Sequence, residues 1–412
     1  VLPGLVAAQT SSTRFGFSTS RLTRIDSTLQ RAVDRGEIAG AVAMVLRDGQ
    51  PVYSRAIGWS DRDAKKRMAT DAMFRIASQS KAITSVAILS LVEEGKIALN
   101  DPVSRFIPAF QRSTVATRSD TGRVITRARR QITIRDLLSH TAGISYGTDS
   151  IVAPLYREKG LGSMAGPQGW YFADKNEPVC DAIERLATLP FVAQPGERFV
   201  YGYNTDVLGC VVERVSGVAL DEFIRTRITA PLGMRDTYFF LPRDKAGRLV
   251  TVYASNLENQ AVRAPDGPPG QGDYVEGPRR TFSGGAGLVS TAADYARFLQ
   301  MLLNGGTLDG ARILAPKTVA LMTTNVMDDP NFTRNGEGFS LGFRTLDRAG
   351  AVGRVESVGT YGWGGAYGSQ YVVDPKERLV LVFMINQIPN RSDVAAKFPM
   401  LVYQALLEPR QH

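Results

Sequence analysis

Two hairpin signatures stand at opposite ends of this 412-residue chain, and they constrain its fold more than anything between them. Near the N-terminus, residues 41–46 and 51–58 are apolar strand-like runs joined by Asp48-Gly49, a pair suited to a tight turn between antiparallel strands. Near the C-terminus, runs at 369–373 and 378–386 are joined by Asp374-Pro375-Lys376-Glu377, and so short a link permits only antiparallel pairing. Helical periodicity marks an amphipathic stretch at 24–35, an apolar one at 78–94 with Gly95 as its stop, and others at 292–303 and 392–407. Residues 101–281 are loop-rich, with short helical patterns at 179–189, 205–216 and 220–228. The layout predicts an α/β fold: one antiparallel sheet built from residues 21–100 and 282–412, flanked by helices, with a mainly helical domain at 101–281 inserted between. A chain of this length exceeds one ordinary core, which agrees with two domains.

Composition narrows the partners. Hydrophobic residues make up 43% and charged residues 22%, ordinary values for a soluble globular enzyme. No apolar run approaches the roughly 18 residues that a membrane span needs. Residues 1–9, from Val1 to Gln9, read as the end of a signal peptide with a small-residue cleavage site, and a Ser/Thr-rich flexible stretch runs on to about residue 20. That predicts a periplasmic or secreted protein, with a trimmed cytoplasmic chain as the alternative. The net charge of +9 comes mainly from scattered arginines, densest at 123–130 in a polar segment that reads as a loop. Without interleaved aromatics or a recognisable module, this is a solvated basic surface rather than a nucleic-acid face. Cys180 and Cys210 are too few and too far apart for a metal site. Both fall in apolar helical patterns and read as buried thiols; a disulfide is the alternative for an exported chain. Neither a metal nor a cofactor motif is present in the sequence.

The chemistry starts at Ser78-Gln79-Ser80-Lys81. Positions three apart on a helix share a face, with Cβ atoms about 5–6 Å apart. A serine becomes a nucleophile when something takes its proton. The usual base is histidine, yet the chain has only His140 and the terminal His412. A serine hydrolase built on this chain is therefore left with a lysine or tyrosine base, and Lys81 is the only lysine with a serine three positions before it. Such a base implies a neutral-to-alkaline pH optimum.

A rival nucleophile is offered by Gly143-Ile144-Ser145-Tyr146-Gly147, which has the G-x-S-x-G spacing. That elbow needs a strand before it, a helix after it and a histidine further on. Here residues 134–140 read as a short helix, and the only later histidine is the last residue. The pentapeptide is better read as a Gly-rich turn, and His140 as a hydrogen-bonded structural residue. Two further segments bear on Ser78. Residues 195–204, Pro195 to Asn204, bring Tyr201 and Tyr203 to the start of a helix, where a phenol can project into a cleft. Tyr361-Gly362-Trp363-Gly364-Gly365-Ala366-Tyr367-Gly368 directly precedes a strand, and glycines there permit close backbone approach.

In order, S-x-x-K at 78–81, the tyrosine box at 201–203 and the Gly-rich box at 363–365 resemble the three boxes of the class C β-lactamase and penicillin-binding-protein superfamily. The chain is most similar to its esterase branch, the family VIII carboxylesterases, from about residue 24 to 407. Supporting stretches are 132–143, 201–209, Pro231-Leu232-Gly233-Met234 and 284–291. The resemblance implies a β-lactamase-like serine hydrolase fold with Ser78 as nucleophile and Lys81 with Tyr201 as base. It also implies an oxyanion site from the N–H groups of Ser78 and Ala366, and substrate contacts from Trp363, Gly364, Gly365 and Tyr203. Other candidate pocket walls are Trp170, Tyr171 and Tyr367.

The departures select the substrate. β-Lactamases and D,D-peptidases of this kind usually carry Y-x-N and K-T-G; here the boxes read Tyr201-Gly202-Tyr203 and Trp363-Gly364-Gly365. An anionic ligand would need a charged partner to offset its desolvation, and Trp363 supplies none, which favours a neutral acyl ester over a β-lactam. The expectation is hydrolysis of small-molecule carboxylic esters of short to medium chain length. The alternatives are a β-lactamase or D-amino-acid peptidase, and a penicillin-sensor-like module without turnover.

Overall fold

A computed structural model describes residues 13–120, 122–162, 176–327 and 329–410. The signal-peptide reading of residues 1–9 and the candidate walls Trp170 and Tyr171 lie outside the described residues.

Strands from both ends of the chain pair into one eight-stranded antiparallel sheet. Its order is Glu337–Phe339, Arg344–Leu346, Tyr361–Gly364, Gln370–Asp374, Leu379–Met384, Gly40–Arg47, Gln50–Asp61 and Lys66–Arg67. The two ends meet where Leu379–Met384 pairs with Gly40–Arg47, in register from Leu379 opposite Arg47 to Met384 opposite Val42. Side chains alternate between the faces of a strand. Ala41, Ala43, Val45, Leu381 and Phe383 therefore pack on one side against helices Thr19–Asp34 and Val394–Tyr403. Val42, Val380, Val382 and Met384 join the larger core on the other side, with helices Ser80–Glu93 and Ala292–Leu303. Burial on both faces explains the unbroken apolar run of the Leu379–Met384 strand. Among the described residues, 101–281 add no strand to this sheet.

Helix Ser80–Glu93 lies at the centre of the molecule. Every residue from Ser80 to Leu91 is buried, as a helix apolar on all sides requires. Gly95, just past its end, takes the left-handed φ of +72° that closes helices at glycine.

Three expectations are corrected. The segment at 123–130 is not simply a loop: Thr114–Ser119 and Gly122–Arg127 form a hairpin. The second strand is exposed along its length, so no apolar alternation marks it in the sequence. The helix expected to run to residue 228 is α-helical only over Leu220–Ile224 and widens into a π-turn at Arg225–Thr229. Cys180 and Cys210 are not free thiols. They form a disulfide between helices Val179–Leu186 and Asn204–Ser216, whose packing brings the two Cα atoms to 5.1 Å.

Candidate active site

Strand Phe74–Arg75 pairs with Val289–Ser290 and fixes the approach to the central helix. Ala77 follows with φ +44°, a conformation few non-glycine residues adopt. It opens the single 3₁₀ turn Ala77–Gln79 that carries Ser78 into helix Ser80–Glu93. Ser78 faces a cavity of about 770 Å³, and Lys81 is buried just behind it.

Lys81 Nζ has three polar neighbours. It lies 3.3 Å from Ser78 Oγ, 2.9 Å from Tyr146 OH and 2.7 Å from the Gly285 carbonyl. It also sits 4.7 Å from the centroid of the Tyr201 ring. The Gly285 carbonyl is held in turn by Asp206. The Asp206 carboxylate accepts from Gly285 N–H at 3.1 Å and from Ser283 Oγ. A Cβ at Gly285 would come within 2.5 Å of Asp206 Oδ2, so this turn needs glycine. Burial pushes the Asp206 carboxyl pKa up against the opposing effect of Lys81 and these hydrogen bonds.

The Tyr201 hydroxyl accepts a hydrogen bond from Trp363 Nε1 at 3.1 Å. Its ring lies 4.7 Å from that of His140. His140 Nδ1 is 2.9 Å from Asn204 Nδ2, which donates to it. Burial first, and the nearby Lys81 second, hold the His140 pKa well below the ordinary imidazole range, so the ring stays neutral.

Strand Tyr361–Gly364 completes the wall. On one side all four residues pair with Gln370–Asp374; on the other only Tyr361 and Gly362 pair, with Thr345 and Arg344. The outer edge of Trp363 and Gly364 thus opens on the cavity. Gly365 then passes so close to the Ile76 carbonyl that a Cβ would sit 2.5 Å from it. This approach brings Ala366 alongside Ser78, and both line the cavity.

Ser78, Tyr201, Trp363, Gly364, Gly365 and Ala366 therefore meet at one cavity, with Lys81 behind. Tyr203 does not join them, which corrects its placement in the substrate pocket. It is fully buried, packs between Tyr146 and Tyr156, and its hydroxyl accepts from Gly162 N–H. Tyr367 is likewise buried, against Ala77 and Val252. Ser145 is buried with its hydroxyl accepting from Gly147 N–H, as a turn residue does. The residue sequence reasoning missed is Tyr146, in the same pentapeptide, which reaches Lys81 and lines the cavity. The signal was present as a tyrosine in a glycine-flanked turn, masked by attention to the serine before it.

Residues 25–404 match the Beta-lactamase family. The chain belongs to the β-lactamase family. Its relatives include Protein Rv1367c of Mycobacterium tuberculosis, 36% identical over 385 residues that cover 90% of this chain and 91% of that one. Another is Esterase EstB of Burkholderia gladioli, 32% identical over 398 residues, 93% of this chain and 95% of the relative. Among solved structures, EstCE1, described as a hydrolase with promiscuous acyltransferase activity, superposes with a TM-score of 0.79 at 28% identity, covering 94% of this chain and 99% of that one. This member of the β-lactamase family is a serine hydrolase, and its likeness to family VIII carboxylesterases extends over nearly the whole chain.

Proposed function

We propose that the protein hydrolyses short- to medium-chain carboxylic esters through an acyl-enzyme on Ser78. The observation that carries this reading is Lys81 Nζ 3.3 Å from Ser78 Oγ, at a cavity where Trp363 stands beside the nucleophile. Ser78 Oγ attacks the ester carbonyl while Lys81, acting with Tyr201, takes its proton. The carbonyl oxygen becomes an oxyanion, held by the N–H groups of Ser78 and Ala366; such donors are worth about 2.7–4 kcal/mol each. Collapse breaks the bond to the alcohol oxygen, which leaves with the proton from the Lys81/Tyr201 pair. Water, deprotonated by the same pair, then releases the acid and restores Ser78. Tyr146 and the Gly285 carbonyl keep Lys81 aimed at Ser78.

The name of Esterase EstB supports the ester substrate, the hydrolase and acyltransferase title of EstCE1 supports acyl transfer, and the absence of Y-x-N and K-T-G from the sequence favours an ester over a β-lactam. The Cys180–Cys210 disulfide supports a periplasmic or secreted location, because such bonds persist in oxidising compartments. Turnover of a chromogenic butyrate ester by the wild type, Ser78→Ala and Ser145→Ala tests the reading. Loss with Ser78→Ala alone is expected. Loss with Ser145→Ala alone, or turnover of nitrocefin as fast as of the ester, would overturn it.

A further inference from the structure

The cavity does not end at the reacting groups. Its far wall carries Arg344, Glu337, Arg354 and Glu356, which the mechanism leaves unused. These four charges are unequally matched. Arg354 donates to both glutamates, at 3.2 Å to Glu337 and 2.9 Å to Glu356. Arg344 only approaches Glu337, at 3.5 Å, and among the described residues its guanidinium has no hydrogen-bond partner. Burial and the adjacent Arg354 both disfavour its charge, and Glu337 and Glu356 do not make up the difference. Arg344 thus keeps donors free of protein hydrogen bonds on the wall of the active cavity, partly open to solvent and with Glu337 as its nearest counter-charge.

Its position in the sheet gives it a purpose. Arg344 is the first residue of its strand and lies in register with Gly362, which has no side chain to cover it. Beyond that pair the outer edge of Trp363 and Gly364 is open. Register places Arg344 on the sheet face of Gly362, Gly364 and Val372, opposite the face of Trp363, so a ligand from Ser78 meets it by crossing the open edge at Gly364, over which the cavity continues to Val372 and Met400. The leaving oxygen must stay within reach of Lys81 and Tyr201, so the acyl chain takes the other direction, across the edge. We propose that Arg344 forms an anion-binding subsite and that the preferred acyl group carries a carboxylate at its far end.

This rests on the ester-hydrolase reading and names its substrate class: half-esters of dicarboxylic acids. Water cleaves the ester bond, and the products are the dicarboxylate and the alcohol. The strand covers about 7 Å from Gly362 to Gly364 at a rise of about 3.3 Å per residue, Gly365 and Ala366 follow in the hairpin turn beyond it, and the arginine side chain spans part of the remaining distance. A chain of suberate size suits the gap better than succinate. The charge sits far from the reacting bond, so the missing K-T-G cation beside Ser78 is no obstacle. Arginine suits the role because its planar fork matches a carboxylate at two points. The net charge of +9 also favours encounter with anionic substrates.

The test compares the para-nitrophenyl half-ester of suberic acid with its neutral methyl ester, in wild type, Arg344→Gln and Arg344→Lys. The readout is the ratio of kcat/KM for the two esters, which cancels any general loss of active enzyme. The ratio should favour the half-ester in wild type, fall about 10- to 100-fold in Arg344→Gln, and lie between in Arg344→Lys. A ratio unmoved by Arg344→Gln overturns the subsite. Calorimetric binding of monomethyl suberate to Ser78→Ala, and to Ser78→Ala with Arg344→Gln, separates the two claims. A Kd at least tenfold weaker in the double variant supports the subsite even if neither ester is turned over, in which case it is the esterase reading that fails. Equal binding overturns the subsite while leaving the esterase reading intact.

Discussion

Gly365→Ala is the sharpest structural perturbation of this site, because one methyl group acts on both halves of the proposed oxyanion site. An ideal Cβ at Gly365 lies 2.5 Å from the Ile76 carbonyl oxygen, 0.9 Å short of the ordinary 3.4 Å contact. The obstacle is backbone, one residue before Ala77 and two before Ser78, so no side chain can swing away. Either the end of the Tyr361–Gly364 strand or the Ile76-Ala77 segment must move by most of an ångström. Both carry a proposed oxyanion donor, the N–H of Ala366 or of Ser78, so their spacing changes whichever moves. Misplacement by about 1 Å costs about 100-fold in rate, the lower end of what losing one oxyanion donor costs. The overpacking itself costs about 1–3 kcal/mol of stability. Gly364→Ala is the control: its Cβ would meet Ser369 O at 3.1 Å and Gln370 Cβ at 4.0 Å, contacts that small adjustments absorb. Steady-state hydrolysis of a butyrate ester, with thermal melts to monitor folding, should show kcat about 100-fold lower for Gly365→Ala and less than about fivefold lower for Gly364→Ala. A folded Gly365→Ala enzyme with more than half the wild-type kcat would refute the reasoning, as would Gly364→Ala proving the more damaging.

Tyr146→Phe removes the hydroxyl 2.9 Å from Lys81 Nζ; a hydrogen bond to a charged group is worth about 1.5–3 kcal/mol, so kcat should fall about 10- to 100-fold with KM nearly unchanged, and an unaltered kcat would remove Tyr146 from the mechanism. His140 is buried and neutral in the fold, with its pKa held well below the ordinary value. Below about pH 6.5 the unfolded chain takes up this proton first, so stability should drop by about 1.4 kcal/mol per pH unit until the folded state also titrates. His140→Asn, which tolerates the φ of +56°, should flatten urea-measured stability between pH 7 and pH 5; an unchanged slope would show that His140 is not the group responsible. Replacing Cys180 and Cys210 together by alanine opens a link across a sequence separation of 30 and should cost about 3–4 kcal/mol in denaturant melts, with a loss below about 1 kcal/mol contradicting that estimate.

What could be read from the chain follows the range of the interactions involved. Ser78 and Lys81 are legible because their proximity is a property of one helical turn, and the paired hairpins are legible because their turns are local. The sheet joining residues 40–47 to 379–384 follows from the layout, strand signals at both chain ends with a loop-rich helical middle between them. The misreadings concern tertiary neighbours. Tyr203 follows Tyr201 by two residues, but at the helix entrance its ring turns inward between Tyr146 and Tyr156. Cys180 and Cys210 become partners only through the packing of two helices. Arg344 lies in a stretch without a motif, and only the sheet register sets it beside Gly362 and the open strand edge. Tyr146 reaches Lys81 from a turn 65 residues further along the chain, a contact that local periodicity cannot encode.

The central claim is that Ser78 is the nucleophile. Treating the intact protein with a fluorophosphonate and mapping the adduct by digestion and mass spectrometry tests it without assuming any substrate. The account predicts one adduct per chain, on the peptide that contains Ser78, and no labelling of the Ser78→Ala protein. An adduct on Ser145, or labelling that survives Ser78→Ala, would contradict it.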